Sequence, residues 1–443
     1  MEQKPTLGAA EAAERARQIH SKIPEGGLFA GLTWRTATAP FPLGAELATT
    51  FDKLGRVLHQ FYKAVNLLYR QSLAGKQPSW VAKWLDAGKD QQLLEWQRAQ
   101  AFKNEIPRVI RPDIILTEDG FKITELDSVP GGIGLTAWLN QTYSEHAEVV
   151  GGADGMLTGF EGIFGEAARV SIIVSEESAT YRPEMEWVAQ QLTPGRFRVL
   201  DSSPRDIAPG EAVYRFFELF DLPNVACAGK LFEAATAGQV TVTPPPKPIF
   251  EEKLLFALFW NRNLRDFWRQ QLGESFFAQL QKVIPYTWVV DPAPLPPHGA
   301  IPVLNLTDWQ QLKNLSQRER ELILKISGYS PQAWGSRGVH LGSDLPLPEW
   351  SKAVDEALAS FDKNPFVLQQ FHKPRTLQTE WFDLDANKIV PMQAKVRLCP
   401  YYFLHGAGDQ ARPKLGGVLA TLNPADKKII HGMTDAVLAP CSI

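Results

Sequence analysis

Cysteine is scarce in this chain: three in 443 residues, at positions 227, 399 and 441. They stand far apart and match no metal-site spacing, so neither a thiolate zinc cluster nor a disulfide framework is encoded, and a reducing compartment fits. Cys399 is a possible nucleophile, but its neighbours read as a buried strand. An excess of charge of one sign is also missing. Lys and Arg number 46 against 49 Asp and Glu, a net charge of −3, so nothing points to a nucleic-acid surface or an anionic membrane. No apolar run approaches the length needed to span a bilayer. The opening MEQKPTLGAAEAAERARQIHSK mixes acids and bases without an apolar core, which is not a signal peptide. Cytoplasmic residence is the expectation. No internal repeat of solenoid length is visible, and no G-x-x-x-x-G-K-[ST] phosphate loop exists.

The remaining composition is that of a folded protein, with 44% apolar and 21% charged residues. The length suits two or three domains. Thirteen tryptophans are spread without regular spacing, as core residues would be. Between Leu47 and Ser72 the apolar positions Leu54, Leu58, Phe61, Val65 and Leu68 recur at steps of four and three, an amphipathic helix. A second helical stretch covers about 90–104. Strands are expected over Asp113–Leu116 and Phe121–Asp127, joined at Glu118-Asp119-Gly120 as a hairpin. A helix follows from Leu135 to about His146. Strands at 169–175, 196–200 and 212–217, with a helix holding Pro183 in its first turn, suggest a parallel α/β unit. PPPKP at 244–248 reads as a stiff, extended linker, and the helix after it as one piece over about 251–271. A strand at Leu322–Lys325, a helix over about 348–360, a strand at Phe366–Phe371 and a hairpin from Thr376 to about Leu398 complete the pass.

Chemistry concentrates in a few places. In ITELDSVPGGIGL (123–135), Glu125 and Asp127 are two apart on a strand and so share a face. A glycine loop follows at once. Paired oxygen ligands there suit Mg²⁺ that shares its other positions with phosphate and water; the same pattern fits a solvated strand edge running into a turn. In ELILKISGYSPQAWGSRGVHLG (321–342), Lys325 ends a strand before a small-residue loop closing on Gly335, Arg337 and Gly338. A point charge with loop N–H groups can hold phosphate, and the Arg337 fork suits a transferring phosphoryl group; an ordinary surface loop is the alternative. FVLQQFHKP (366–374) resembles a hinge strand whose backbone reads an adenine edge. Lys395 and Arg397 share a face of an apolar strand and need an anionic partner. That partner is a substrate carboxylate, the Glu125/Asp127 pair, or Glu380 or Asp383 on the preceding strand. Arg111 either clamps a substrate carboxylate or pairs with Asp113. Tyr214, Arg215 and Glu218 are weaker candidates for lining a substrate pocket.

In their order, these segments resemble a circularly permuted ATP-grasp enzyme, similar to glutathionylspermidine synthase and the eukaryotic-type glutathione synthetases, over about 105–140 and 250–405. The resemblance implies an α/β fold of α+β character. It divides the chain into a mainly helical region (1–104), the permuted metal-binding hairpin and glycine loop (105–164), a parallel α/β substrate subdomain (165–245) and the nucleotide-binding lobes (246–443). The family opens a helix with a nucleotide-binding lysine in a segment like N-K-A-L-L-P-L-L-W, which EEKLLFALFW matches at Lys253. Its second lysine corresponds to Lys325, its G-R-x-G element to Gly335–Gly338, and its hinge to Gln369, Gln370 and Phe371. The metal-binding E-x-N matches Glu125 and Asp127, the substrate-side R-x-D matches Arg111 and Asp113, and the basic C-terminal strand matches Lys395 and Arg397.

By this resemblance the cofactors are ATP and Mg²⁺, and the activity is an ADP-forming carboxylate–amine ligation through an acylphosphate. The partners are a small peptide-like or amino-acid carboxylate and an amine. Arg337, Arg111 and Arg397 take the catalytic roles. The family also places a glutamate in the loop after the second lysine, and residues 326–340 contain no carboxylate. Asp127 in place of asparagine compensates part of that charge. With no Cys/His pairing in the first hundred residues, the amidase domain carried by some glutathionylspermidine synthases is not expected in them. The competing readings are a nucleotide-binding scaffold without catalysis, and a sugar- or nucleotide-transferring α/β enzyme.

Overall fold

The structure, a computed structural model, describes residues 8–26, 29, 34–333, 337–428, 430 and 432–443. Its strands, in chain order, are β1 (Arg35–Thr36), β2 (Phe41–Pro42), β3 (Val109–Thr117) and β4 (Gly120–Asp127). Then come β5 (Val170–Val174), β6 (Phe197–Leu200), β7 (Ala212–Phe216) and β8 (Thr241–Thr243). The third group is β9 (Thr287–Val289), β10 (Leu322–Ile326), β11 (Val339–Leu341) and β12 (Phe366–Gln370). The last is β13 (Thr376–Asp383), β14 (Lys388–His405), β15 (Arg412–Pro424) and β16 (Val437–Ser442). The chain divides into two units, one of residues 1–59, 104–245 and 374–443, the other of residues 60–103 and 246–373. The helix Ala45–Leu73 runs through that division.

The first unit contains two sheets. The larger has eight strands in the order β1-β16-β15-β14-β3-β4, with β13 also on β14 and β2 on β16. β3 and β4 form the expected hairpin, turning tightly through Glu118-Asp119 with Thr117 opposite Gly120. A bulge after Asp113, whose carbonyl accepts from Thr124 Oγ1 at 3.2 Å, keeps Glu125 opposite Asp113 and Asp127 opposite Arg111. β14 is long enough to pair with β13 by its first half and with β3 by its second. The smaller sheet is parallel, in the order β6-β5-β7-β8. Its central strand VSIIV is buried throughout, as a strand covered on both faces must be. The helices Ile133–Ser144, Gly155–Gly162 and Arg182–Gln191 carry the core between them, with Leu135, Leu139, Phe160, Met185 and Val188 packed in one cluster with Tyr401, Phe403 and Leu419 of the large sheet.

The second unit is built on an antiparallel sheet in the order β11-β10-β12-β9. The helix Leu347–Ala359 buries Trp350, Val354 and Ala357 against Leu322, Leu324 and Leu368. Two expectations fail here for identifiable reasons. The helix expected over 251–271 breaks at Asn261, whose side chain accepts the Asn263 N–H, into Leu254–Trp260 and Arg265–Val283, and the latter bends again at Gly273 (φ 70°). PPPKP is not a free linker. Residues 244–250 are all buried, because the prolines and the following Ile249 and Phe250 are apolar and pack. Arg215 donates to the Pro244 and Pro245 carbonyls, and Lys247 donates to Asn66 Oδ1 at 2.9 Å. Among the described residues no helix is long and apolar enough to cross a membrane.

Candidate functional site

In the first unit, the bulged hairpin and β14 gather charge on one sheet face. Arg111 donates through Nε to Asp113 Oδ1 at 3.0 Å, through Nη1 to the Gly131 carbonyl at 3.2 Å, and pairs through Nη2 with Asp127 Oδ2 at 3.0 Å. Arg397 reaches the other Asp113 oxygen at 3.3 Å. Asp113 is therefore an anionic partner of Arg397. Glu380 accepts from Thr38 at 3.1 Å. Lys395, one row along, donates to the Lys427 carbonyl at 3.0 Å. Asp127 Oδ1 also accepts the Val129 N–H at 2.8 Å, and burial holds its carboxyl above the usual carboxylate range. Three carboxylates (Glu125, Asp127, Asp113) face two guanidinium groups (Arg111, Arg397). Among the described residues no group of three or more His, Cys, Asp and Glu side chains gathers as a metal site. Burial pushes the Cys399 thiol up to about 12, with Asp113 adding to the shift, so its thiolate is suppressed and it is a poor nucleophile.

The glycine loop is occupied from within the chain. Glu184, from the helix Arg182–Gln191, accepts N–H groups of Gly134 at 2.8 Å and Gly132 at 3.3 Å. Its carboxyl thus sits at the N-terminus of the helix Ile133–Ser144, where backbone donors favour an anion. Gly132 requires its φ of 88°, and a Cβ on Gly131 would meet the Tyr181 ring at 2.2 Å. Burial raises the Glu184 pKa to about 7 against these bonds. Glu184 escaped the sequence reading because nothing local in RPEMEW distinguishes it from a solvated helical glutamate. Arg215 is buried and bonded to the Phe217, Pro244 and Pro245 carbonyls, and Tyr214 lies in the core.

In the second unit, Lys325 and Gln369 stand on the adjacent strands β10 and β12, and Lys325 Nζ donates to Gln369 Oε1 at 3.0 Å. Gln369 in turn donates to Thr287 Oγ1 at 3.2 Å. Lys253 immediately precedes the helix Leu254–Trp260; its N–H donates to the Ser327 carbonyl and its Nζ to the Ala333 carbonyl at 3.1 Å. Both lysines therefore border the loop after β10. That loop is closed at its far end by Gly338, which donates to the Gln332 carbonyl and accepts from Ile326 N–H. Arg337 is exposed at this closure. Gly335 lies outside the described residues. The N–H groups of Gln370 and Phe371 donate to the Tyr286 and Glu321 carbonyls. Two residues missed in the sequence hold the loop's base. Glu252 accepts from Ser327 Oγ and pairs with Lys89 at 2.5 Å, both side chains almost wholly buried. Glu252 carried no local signal, since its buried partner Lys89 is remote in sequence.

No family model and no curated protein matches the sequence. Solved structures do. A glutathione synthetase-like effector from Globodera pallida superposes with a TM-score of 0.60 over 99% of this chain and 98% of its own, at 12% identity. The fold is that of this glutathione synthetase-like protein. A proposed gamma-glutamylcysteine synthetase from Methylobacillus flagellatus aligns over 92% of this chain and 90% of its own, at 12% identity and a TM-score of 0.40.

Proposed function

We propose that this chain is an ATP-dependent carboxylate–amine ligase of the ATP-grasp type, circularly permuted, forming ADP through an acylphosphate. The observation that carries the reading is the second unit's arrangement of two ammonium groups, Lys253 and Lys325, at the borders of one loop that ends in Arg337, with Gln369 bonded to Lys325. That is the donor set a triphosphate needs: point charges for phosphate oxygens, loop N–H groups, and a guanidinium for the charge that develops on transfer. The fold shared with a glutathione synthetase-like protein across nearly the whole chain supports it.

In this reading Lys253 and Lys325 bind the α- and β-phosphates. Glu125 and Asp127 are the residues that would hold Mg²⁺, which would supply neutralising charge for phosphate. Residues 328–333 and 337–338, the described part of this loop, exclude water, since an acylphosphate hydrolyses readily. Arg111 and Arg397 orient the substrate carboxylate. With the Gln370 and Phe371 N–H groups already committed, the base is read through the side chains and carbonyls of the 369–371 strand end.

The second reading, a nucleotide-binding scaffold without catalysis, is favoured by the lack of any carboxylate in residues 326–340. A screen of carboxylate and amine pairs for ADP release with Mg·ATP separates the two. Pair-dependent ADP release supports the ligase; stabilisation by Mg·ATP with no ADP release for any pair supports the scaffold.

A further inference from the structure

Ser327, two residues beyond Lys325 in the second unit, is fully buried, and each of its polar atoms is bonded. Its N–H donates to the Pro365 carbonyl at 2.9 Å, and its carbonyl accepts the Lys253 N–H at 2.9 Å. Its Oγ accepts the Leu254 N–H at 2.9 Å and donates to Glu252. Gly328 continues the contact: a Cβ there would meet the Glu251 carbonyl oxygen at 2.3 Å, so the chain passes directly over residues 251 and 252. Lys89, between the helices Ser79–Asp86 and Gln91–Arg98, closes the arrangement. It pairs with Glu252 in the interior, and its Nζ lies 5.4 Å from the centre of the Tyr329 ring. Lys325 is already fixed by the ladders on both sides of β10. Lys253 lies outside the sheet and is brought to it through Ser327. A buried ion pair adds little stability over apolar residues of the same shape, whereas hydrogen bonds set direction and distance.

We propose that Lys89, Glu252 and Ser327 are positioning residues for a nucleotide, holding Lys253 at the separation from Lys325 that neighbouring phosphates require. This rests on the reading in which those two lysines bind phosphate. Glu252 turns the Ser327 hydroxyl so that a lone pair meets the Leu254 N–H, and Lys89 balances the Glu252 charge. Without that acceptor the hydroxyl is free to rotate, and Lys253 loses the side-chain half of its attachment to Ser327. Lysines that hold phosphate before and during transfer contribute uniform binding, so the loss falls on ATP affinity rather than on turnover.

Calorimetric titration of Mg·ATP into the full chain, into Ser327→Ala and into Lys89→Met/Glu252→Leu, with thermal melting of each unliganded protein, tests this. Replacing both ions by apolar groups restores stability but not the hold on Ser327. The double variant should therefore melt within about 5 °C of the wild type and yet bind Mg·ATP at least about fivefold more weakly, the worth of one hydrogen bond. Ser327→Ala should weaken binding by a similar factor. In a Lys253→Met background the same Ser327→Ala change should cost less than about twofold, because the side chain it positions is gone. A purely structural role would move melting and leave affinity alone. Wild-type affinity in the double variant, or an undiminished Ser327→Ala penalty in the Lys253→Met background, would overturn the proposal. A wild type that binds no Mg·ATP removes the nucleotide reading and this proposal with it, whereas wild-type binding with unweakened variants removes this proposal alone.

Discussion

Glu184 shows what burial does to a single carboxyl. Its pKa is raised from 4.5 to about 7 because the side chain is buried, even though glycine N–H groups bond it. A carboxyl raised in the folded state binds its proton more tightly there than in the unfolded chain. Its contribution is therefore most favourable below about pH 4.5 and is lost as pH rises through about 7. The shift corresponds to roughly 3 kcal/mol. Glu184→Gln should flatten this dependence, so that urea midpoints give the variant a larger relative stability at about pH 8 than at about pH 5; a constant difference across that range would contradict it. Arg337 makes a second prediction at this scale. Arg337→Ala should lower kcat by about 10²-fold, the worth of one group acting on transferring charge, with the KM for ATP changed by less than about threefold. Unchanged turnover would take Arg337 out of the site. The sequence shows Arg337 by its glycine-flanked loop. It does not show Glu184, whose role exists only because a remote glycine turn folds onto it.

At the scale of elements, the loop after β10 is fixed at its base by a buried ion pair. The Lys89 and Glu252 side chains are 1% and 3% exposed, and Glu252 also accepts from Ser327. Lys89→Met leaves that carboxylate uncompensated and should destabilise the protein by about 3–5 kcal/mol, whereas the double variant Lys89→Met/Glu252→Leu should recover most of the loss. Chemical denaturation of the two variants checks this, and equal stability of single and double variants would speak against a charge penalty. The sequence shows such elements where periodicity is long or turn chemistry is local. The helix Ala45–Leu73 and the Asp119-Gly120 hairpin are visible for those reasons. The break at Asn261 is not, because a capping asparagine inside an apolar run looks like any polar helical residue. Cross-strand register is equally hidden. Asp113 meets both Arg111 and Arg397 only because a bulge and a long β14 set which residues stand opposite.

For the whole molecule, the fold carries the comparison and the side chains carry the function. A TM-score of 0.60 at 12% identity shows that patterning and packing keep this architecture while most surface and core identities change. The order of segments in the sequence was enough to suggest it, since glycine loops, strand-end lysines and paired carboxylates are local signals. The measurement that bears most directly on the account is calorimetric titration of Mg·ATP into the full chain and into Lys325→Met. The account predicts binding by the wild type and at least about tenfold weaker binding by the variant, the loss expected when one charge-assisted phosphate contact is removed. No binding by the wild type, or equal binding by both, would contradict it.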